Sequence, residues 1–187
     1  MSCCNLETDR LILRPPHAAD IEPMLPLIGD WDVAKNLGRV PHPYSRAEGE
    51  GFLARTTQSR ARGQDYSFAI QRKWDGAFMG ICGVHLRAGG HFEFGYWLGK
   101  PFWRHGYATE AARRLASFAF RDLKIEHIKA GWFHDNPASG HVLEKIGCVP
   151  AGAEERDCLA RGHSVYCHVV SLTLADFAQV RKAGEAA

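Results

Sequence analysis

The sequence predicts an α/β (α+β) domain built on a mixed central sheet of about seven strands flanked by about four helices. Three observations predict it. Residues 66–98 form alternating apolar and polar runs, cut by turn signals at Asp75-Gly76 and Ala88-Gly89-Gly90, the pattern of an antiparallel meander. Residues 107–120 follow with apolar positions at helical spacing. A further strand over 125–133 completes a strand–helix–strand unit, which is expected to be parallel and right-handed.

Taken in order, residues 11–14 are a short extended run that stops at Pro15-Pro16. Residues 18–28 have helical spacing at Ile21, Leu25 and Ile28, but Pro23 and Pro26 predict a short, kinked or broken helix. Ser45 and Glu48 form a capping box ahead of Phe52 and Leu53, and Gly63 ends that second helix. Strands over 66–71, 78–86 and 91–98 build the meander. In the third, Phe92, Phe94, Tyr96 and Leu98 share one side, and Glu93, Gly95 and Trp97 the other. The long helix carries Ala108, Ala112, Leu115 and Ala119 on one face. After the 125–133 strand, Asn136 stands at an N-cap and Pro137 at the first helical position. Ala138, Val142, Leu143 and Ile146 form that helix's stripe, and Gly147 ends it. Strands near 148–154 and 165–173 close the sheet, and the polar tail after about residue 181 is expected to fray.

The 187 residues suit a single domain spanning the chain, large enough to bury a core without disulfide or metal staples. A net charge of +2 lacks the basic excess of a nucleic-acid binder, so no nucleic-acid partner is expected. No apolar stretch approaches the roughly 20 residues that span a bilayer. Residues 1–14 carry charges in place of an apolar signal core. The expectation is a cytoplasmic protein with no membrane partner. Cys3, Cys4, Cys82, Cys148, Cys158 and Cys167 contain no C-x-x-C pair, and Cys82, Cys148 and Cys167 lie in apolar runs as small hydrophobes, which argues against a disulfide framework. The histidines show no H-x-x-x-H spacing, and no metal site is expected.

Residues 95–111 carry the most chemical information. A strand ends, a loop containing Arg104, His105 and Gly106 follows, and a helix begins. The first N–H groups of a helix have no internal acceptor and carry the positive end of its dipole, so they bind phosphate. Gly106 lets the backbone approach an anion, and Arg104 adds positive charge. Gly106 fits equally well as a residue that only eases a tight turn. Neither G-x-x-x-x-G-K-[ST] nor G-x-G-x-x-G is present.

On three ordered segments the sequence resembles the GNAT superfamily of acetyl-CoA-dependent N-acetyltransferases, most nearly its ribosomal-protein N-terminal alanine acetyltransferase branch. Thr8-Asp-Arg-Leu-Ile-Leu-Arg-Pro resembles the branch's opening strand. Gly95-Tyr-Trp-Leu and Trp103-Arg-His-Gly-Tyr-Ala-Thr-Glu-Ala resemble its cofactor segment. Asn136-Pro-Ala-Ser and Val142-Leu-Glu-Lys-Ile-Gly resemble its fourth helix. The resemblance implies acetyl-CoA as co-substrate and a GNAT-like sheet splayed between the fourth and fifth of the expected strands. The pantetheine arm would enter the gap along Trp97, Leu98 and Gly99. The pyrophosphate would sit on Trp103, Arg104, His105, Gly106, Tyr107, Ala108 and Thr109. The superfamily signature [RQ]-x-x-G-x-[GA] starts here with Trp103, which leaves the pyrophosphate to backbone N–H groups and Arg104.

An amine must lose its proton before it attacks a thioester. A peptide α-amine titrates near 8 and a lysine near 10.4, so a positioned base helps most for lysine-like acceptors. Glu93 is the candidate base, directly or through water, with a raised pKa if buried. It is alternatively a solvent-facing residue or the partner of a neighbouring arginine. By the resemblance, Ser139 carries the general-acid hydroxyl for the leaving thiolate. As a first-turn serine it also suits a backbone hydrogen bond. Asn136 is an N-cap and, by the resemblance, a pantetheine contact. Tyr96 and Tyr107 are alternative acids, although such aromatics are more often core. Trp31, Arg39, His42 and Tyr44 in the loop over 31–45 would shape the acceptor pocket, with 154–163 on its other side. The expected function is acetyl transfer from acetyl-CoA to a primary amine, on a protein N-terminus or a small molecule, by direct attack in a monomer or homodimer. The alternative is a non-catalytic acyl-CoA-binding sensor on the same fold.

Overall fold

The protein's structure, a computed structural model, describes residues 5–185, with side chains described through residue 180. Cys3 and Cys4 lie outside the described residues. The chain opens with strands β1 (Leu6–Glu7) and β2 (Leu11–Arg14) and a 3-10 turn at Ala18–Asp20. Helices α1 (Ile21–Ile28), α2 (Trp31–Ala34) and α3 (Arg46–Ala61) follow. Strands β3 (Asp65–Arg72), β4 (Phe78–Leu86) and β5 (Phe92–Leu98) form the meander. The second half runs α4 (Tyr107–Arg121), β6 (His127–Phe133), α5 (Pro137–Lys145), β7 (Val149–Cys158), β8 (His163–Thr173) and α6 (Leu174–Glu185). The sheet order is β1-β2-β3-β4-β5-β6-β8-β7, and β5 with β6 is its parallel pair.

The sheet has eight strands against the expected seven because β1 pairs briefly with β2. Two residues carry no detectable alternation. Helix α1 runs through Pro26 unbroken. Pro23 sits in the first turn, where its missing N–H needs no partner. Pro26 leaves only the Glu22 carbonyl short of a donor, on the exposed face, where water serves it. Ile21, Met24 and Ile28 line the buried face. Helix α2 interrupts the loop expected over 31–45, with the Asp30 side chain accepting from the Asp32 N–H. Helix α6 extends to Glu185. Thr173 and Asp176 exchange hydrogen bonds at its start, the reciprocal pairing of an [ST]-x-x-[DE] capping signal.

Helix α4 lies on one face of the sheet. Its Ala111, Ala112, Leu115, Ala116 and Ala119 are fully buried against Leu13, Phe68, Ile70, Val84 and Phe94. The small alanines let the helix approach closely, and Leu115 fills the interior. On the other face, Met24 and Ile28 of α1 and Phe52 of α3 pack on Ala69, Ile81 and Trp97. The expected division of β5 holds, with Phe94, Tyr96 and Leu98 toward α4 and Trp97 toward α1.

Strand β5 pairs with β4 along its whole length, from Leu86↔Phe92 to Gly80↔Leu98. Strand β6 pairs with β8 from His127↔Thr173 to Phe133↔Cys167. Between β5 and β6 the register holds only Phe92↔Ile128 and Glu93↔Lys129. From Phe94 onward the two strands part. This opening corresponds to the splay expected between the fourth and fifth strands, now the fifth and sixth because of β1.

Truncating Leu115 to alanine should leave a cavity under α4 that the rigid sheet cannot refill. The expected cost is about 2–5 kcal/mol in urea unfolding; a loss below about 1 kcal/mol would contradict the packing described.

Candidate active site

The loop before α4 is shaped by two left-handed residues, Arg104 (φ 63) and Gly106 (φ 79). Gly106 is the N-cap of α4 and offers no side-chain acceptor, so the N–H groups of Tyr107, Ala108 and Thr109 have no partner within the helix. That is the donor set a diphosphate requires. Trp103 turns its indole away from the loop and donates to the Leu98 carbonyl at 2.7 Å. His105 packs on Tyr107, with ring centroids 5.7 Å apart. Arg104 is exposed and makes no hydrogen bond or ion pair among the described residues. The geometry fits acetyl-CoA's phosphates on backbone N–H groups with Arg104 alongside.

The sequence did not reveal what holds this loop from behind. Arg10 donates to the His105 carbonyl at 3.0 Å and lies 4.5 Å over the Tyr107 ring. Its guanidinium also meets Glu110 of α4 at 2.6 Å. Thr8 donates to the same carboxylate at 2.6 Å, and the Arg10 N–H at 2.9 Å. Burial alone would raise the Glu110 carboxyl, but these donors and the Arg10 charge outweigh it and hold the group below its usual range.

Along the gap, the expected edge of Trp97, Leu98 and Gly99 needs correction. The Trp97 carbonyl lies against Gly80 of β4, and the Gly99 N–H donates to the Met79 carbonyl at 2.9 Å. Both groups face β4. By strand alternation, Tyr96 and Leu98 turn their backbone toward the gap. Across it, the Asn136 side chain accepts from the Ser139 N–H at 3.4 Å and caps α5. The Tyr96 hydroxyl reaches from β5 to Ser139, 2.9 Å from Oγ and 3.1 Å from the backbone oxygen. Burial pushes the Tyr96 phenol well above its usual range, which keeps it a neutral donor. The structure thus brings Ser139 and Tyr96 together at the open end of the sheet.

Glu93 lies on the opposite face. The raised pKa expected for it is overturned. Burial alone would raise it, but Arg87 at 3.0 Å and Arg156 at 2.8 Å outweigh burial and hold the carboxyl below its usual range. Arg156 also bonds Glu154 at 2.5 Å. Arg39 lies in the same field: partial desolvation and the charges of Arg87 and Arg156 lower its pKa against the attraction of Glu93. The other acceptor-side residues separate into two groups. Trp31 packs edge-on against His42 at 5.2 Å, on the surface. Tyr44 packs into the apolar cluster under α1 and α3, and burial raises its phenol. The β7–β8 hairpin grips the 35–39 loop from the far side through Leu159 N–H to Gly38 and Arg161 to Lys35.

Comparison with known proteins bears on the family and the fold. Residues 10–149 match the family model for the acetyltransferase (GNAT) domain. The chain is 25% identical to the uncharacterized N-acetyltransferase p20 of Bacillus licheniformis, over 92% of this chain and 98% of that protein. Its fold is similar to ribosomal-protein-S5-alanine acetyltransferase from Vibrio fischeri, with TM-score 0.78 and 16% identity over 93% and 98% of the two chains. It is also similar to RimJ of Mycobacterium smegmatis, solved with CoA-disulfide, with TM-score 0.78 and 19% identity over 93% and 89%. At these identities the two structures carry the fold alone.

The Glu93 pairing has a signed consequence. A carboxyl lowered on folding stabilises fully above the unfolded glutamate pKa, near 4.3, and loses that contribution as pH falls through the folded value. Thermal melts between about pH 5 and 3 should therefore show a steeper acid loss for the wild type than for Glu93→Gln; matching slopes would contradict the paired carboxylate.

Proposed function

This chain belongs to the GNAT acetyltransferases, enzymes that use acetyl-CoA, and from that premise we propose that it acetylates a primary amine, with a protein N-terminus as the favoured acceptor. The observation that carries this reading is the gap between β5 and β6, which opens through the sheet and leaves different chemistry on its two faces. On the α5 side stand the Ser139 and Tyr96 hydroxyls. On the other side stand Glu93, Gly95 and Trp97. A thioester held in the gap is then reached from both faces at once, by a thiolate-protonating hydroxyl and by an amine.

When bound, acetyl-CoA supplies the activated acyl group. The N–H groups of Tyr107, Ala108 and Thr109, with Arg104, hold its phosphates. The Leu98 N–H and the Tyr96 backbone are offered to its extended arm as an added strand would offer them, and the Nδ2 of Asn136, without a partner among the described residues, can donate to the same arm. Ser139 Oγ gives its proton to the departing sulfur and takes one back through Tyr96, which is reprotonated in turn by a proton the attacking nitrogen sheds, so both hydroxyls end neutral. Glu93, ionised and held between Arg87 and Arg156, fixes the shape of the acceptor face and leaves no oxygen free to take a proton. Arg39, Trp31 and His42 line the entrance. Positioning of the two substrates supplies most of the rate enhancement. A protein N-terminus suits this reading because its amine titrates near 8 and needs less help than lysine. The likeness to a ribosomal-protein acetyltransferase fold points the same way. A cytoplasmic setting fits a consumer of acetyl-CoA.

The reading is tested by screening amines, including alanine-terminated peptides, for acetyl-CoA-dependent thiol release with mass spectrometry of the products; no product from any amine would overturn it. Gly106→Asp keeps a residue that tolerates the left-handed conformation but sets a carboxylate in the phosphate cradle. Calorimetry should show acetyl-CoA binding weakened by about 2 kcal/mol, roughly 30-fold. Ser139→Ala should lower kcat while acetyl-CoA affinity holds; unchanged turnover would leave Ser139 a capping residue alone.

A further inference from the structure

A histidine outside every expected site residue lies on the acceptor face. Gly83 of β4 and Gly95 of β5 are cross-strand partners, and their missing side chains leave a hollow on that face. The His85 ring lies over it: a Cβ on Gly83 would stand 3.1 Å from Nε2, and one on Gly95 3.8 Å from it. Gly95 is the second residue past the last β5–β6 rung, so Nε2 sits where the gap has just opened.

The other ring nitrogen is committed. Nδ1 lies 2.9 Å from Oδ2 of Asp65, its cross-strand partner on β3. Asp65 is itself held, because its Oδ1 accepts from the Ser67 N–H at 2.8 Å and the Ser67 hydroxyl at 2.7 Å. Burial alone would raise the Asp65 carboxyl, but the His85 and Ser67 hydrogen bonds outweigh it and keep it ionised. An ionised carboxylate only accepts, so Nδ1 must carry the hydrogen. In the neutral imidazole the lone pair then belongs to Nε2, which has no partner among the described residues. Glu93, the residue expected as base, has both oxygens bound by arginines.

We propose that His85, oriented by Asp65, is the base that deprotonates the acceptor amine, a role that rests on the acetyl-transfer reading above. An N–H bond of the ammonium breaks as Nε2–H forms, and Asp65 balances the imidazolium charge. The freed nitrogen lone pair attacks the thioester carbonyl, the C–S bond breaks, and the nitrogen loses a second proton. One of the two protons ends on the thiol and the other passes from His85 to solvent. The charged groups around the ring are Asp65, Glu93 with Arg87 and Arg156, Arg39 from the 35–39 loop, and Arg60 of α3, which donates to the Ser67 carbonyl. The paired glycines give the amine its room.

Two measurements test this. In 15N-histidine NMR on the neutral ring, His85 should hold its proton on Nδ1, with Nε2 bare; a proton on Nε2 in the neutral wild type overturns the assignment. In kinetics, an alanine-terminated hexapeptide, cadaverine and glycine are offered with acetyl-CoA. His85→Gln should lose about 100-fold or more in kcat at pH 7, the scale of a positioned base, with acetyl-CoA affinity intact. Its deficit should shrink above the amine's own pKa, which a purely structural ring would not produce. Gly95→Ala, which fills the hollow and leaves the dyad in place, should raise KM for the amine. A wild type that acetylates none of these overturns the underlying reading; an active wild type matched by both variants overturns the base alone.

Discussion

The early parting of β5 from β6 is the constraint on which the rest of the molecule depends. Two parallel strands joined by a helix would ordinarily pair along their length, yet here the register ends at Glu93↔Lys129. Each strand stays rigid because its other edge is fully paired, β5 with β4 and β6 with β8. The gap is therefore a slot with two stiff walls, not a frayed end. Backbone donors and acceptors along such walls cost free energy when buried without partners, so the slot favours an extended polar chain that can pair with them.

Two kinds of polar pair surround the slot and do different work. The Arg87–Glu93–Arg156 cluster ties the turn after β4 to β5 and β7 and spends the carboxylate's acceptors on fixing shape. The Asp65–His85 pair spends one ring nitrogen and leaves the other exposed to chemistry. Glycine is what lets both exist on one face. Gly83 and Gly95 make room for the imidazole, and a side chain on Gly131 would strike Cys167 and crowd Arg156. The polar groups lie flat on the sheet because these positions have nothing to hold them off.

Elements whose signal is local were legible in the sequence. Strand β4 runs over the expected 78–86, Ser45 and Asn136 cap their helices, and Gly106 opens α4 in the left-handed conformation that a glycine permits. The resemblance pointed to the 103–109 turn and to Ser139 before any geometry was known, and the splay it implied is present in the short β5–β6 register. What stayed hidden is long-range. Glu93 carries the same letter whether it is free or bound, and its partner Arg156 lies 63 positions away. The Asp65–His85 contact spans 20 positions and two strands, so no periodicity marks it. The backbone directions of Trp97 and Gly99 depend on which edge β4 occupies, which the alternation of side chains does not encode.

The brace behind the phosphate loop carries a consequence at a distance. Thr8 and Arg10 grip Glu110 across about a hundred positions of chain, the kind of contact that closes slowly. A chain that completed α4 and its left-handed entry turn without these contacts would still leave that turn unbraced. The shape of that turn is therefore a long-range property: a break near residue 10 would be felt at the start of a helix about a hundred positions downstream.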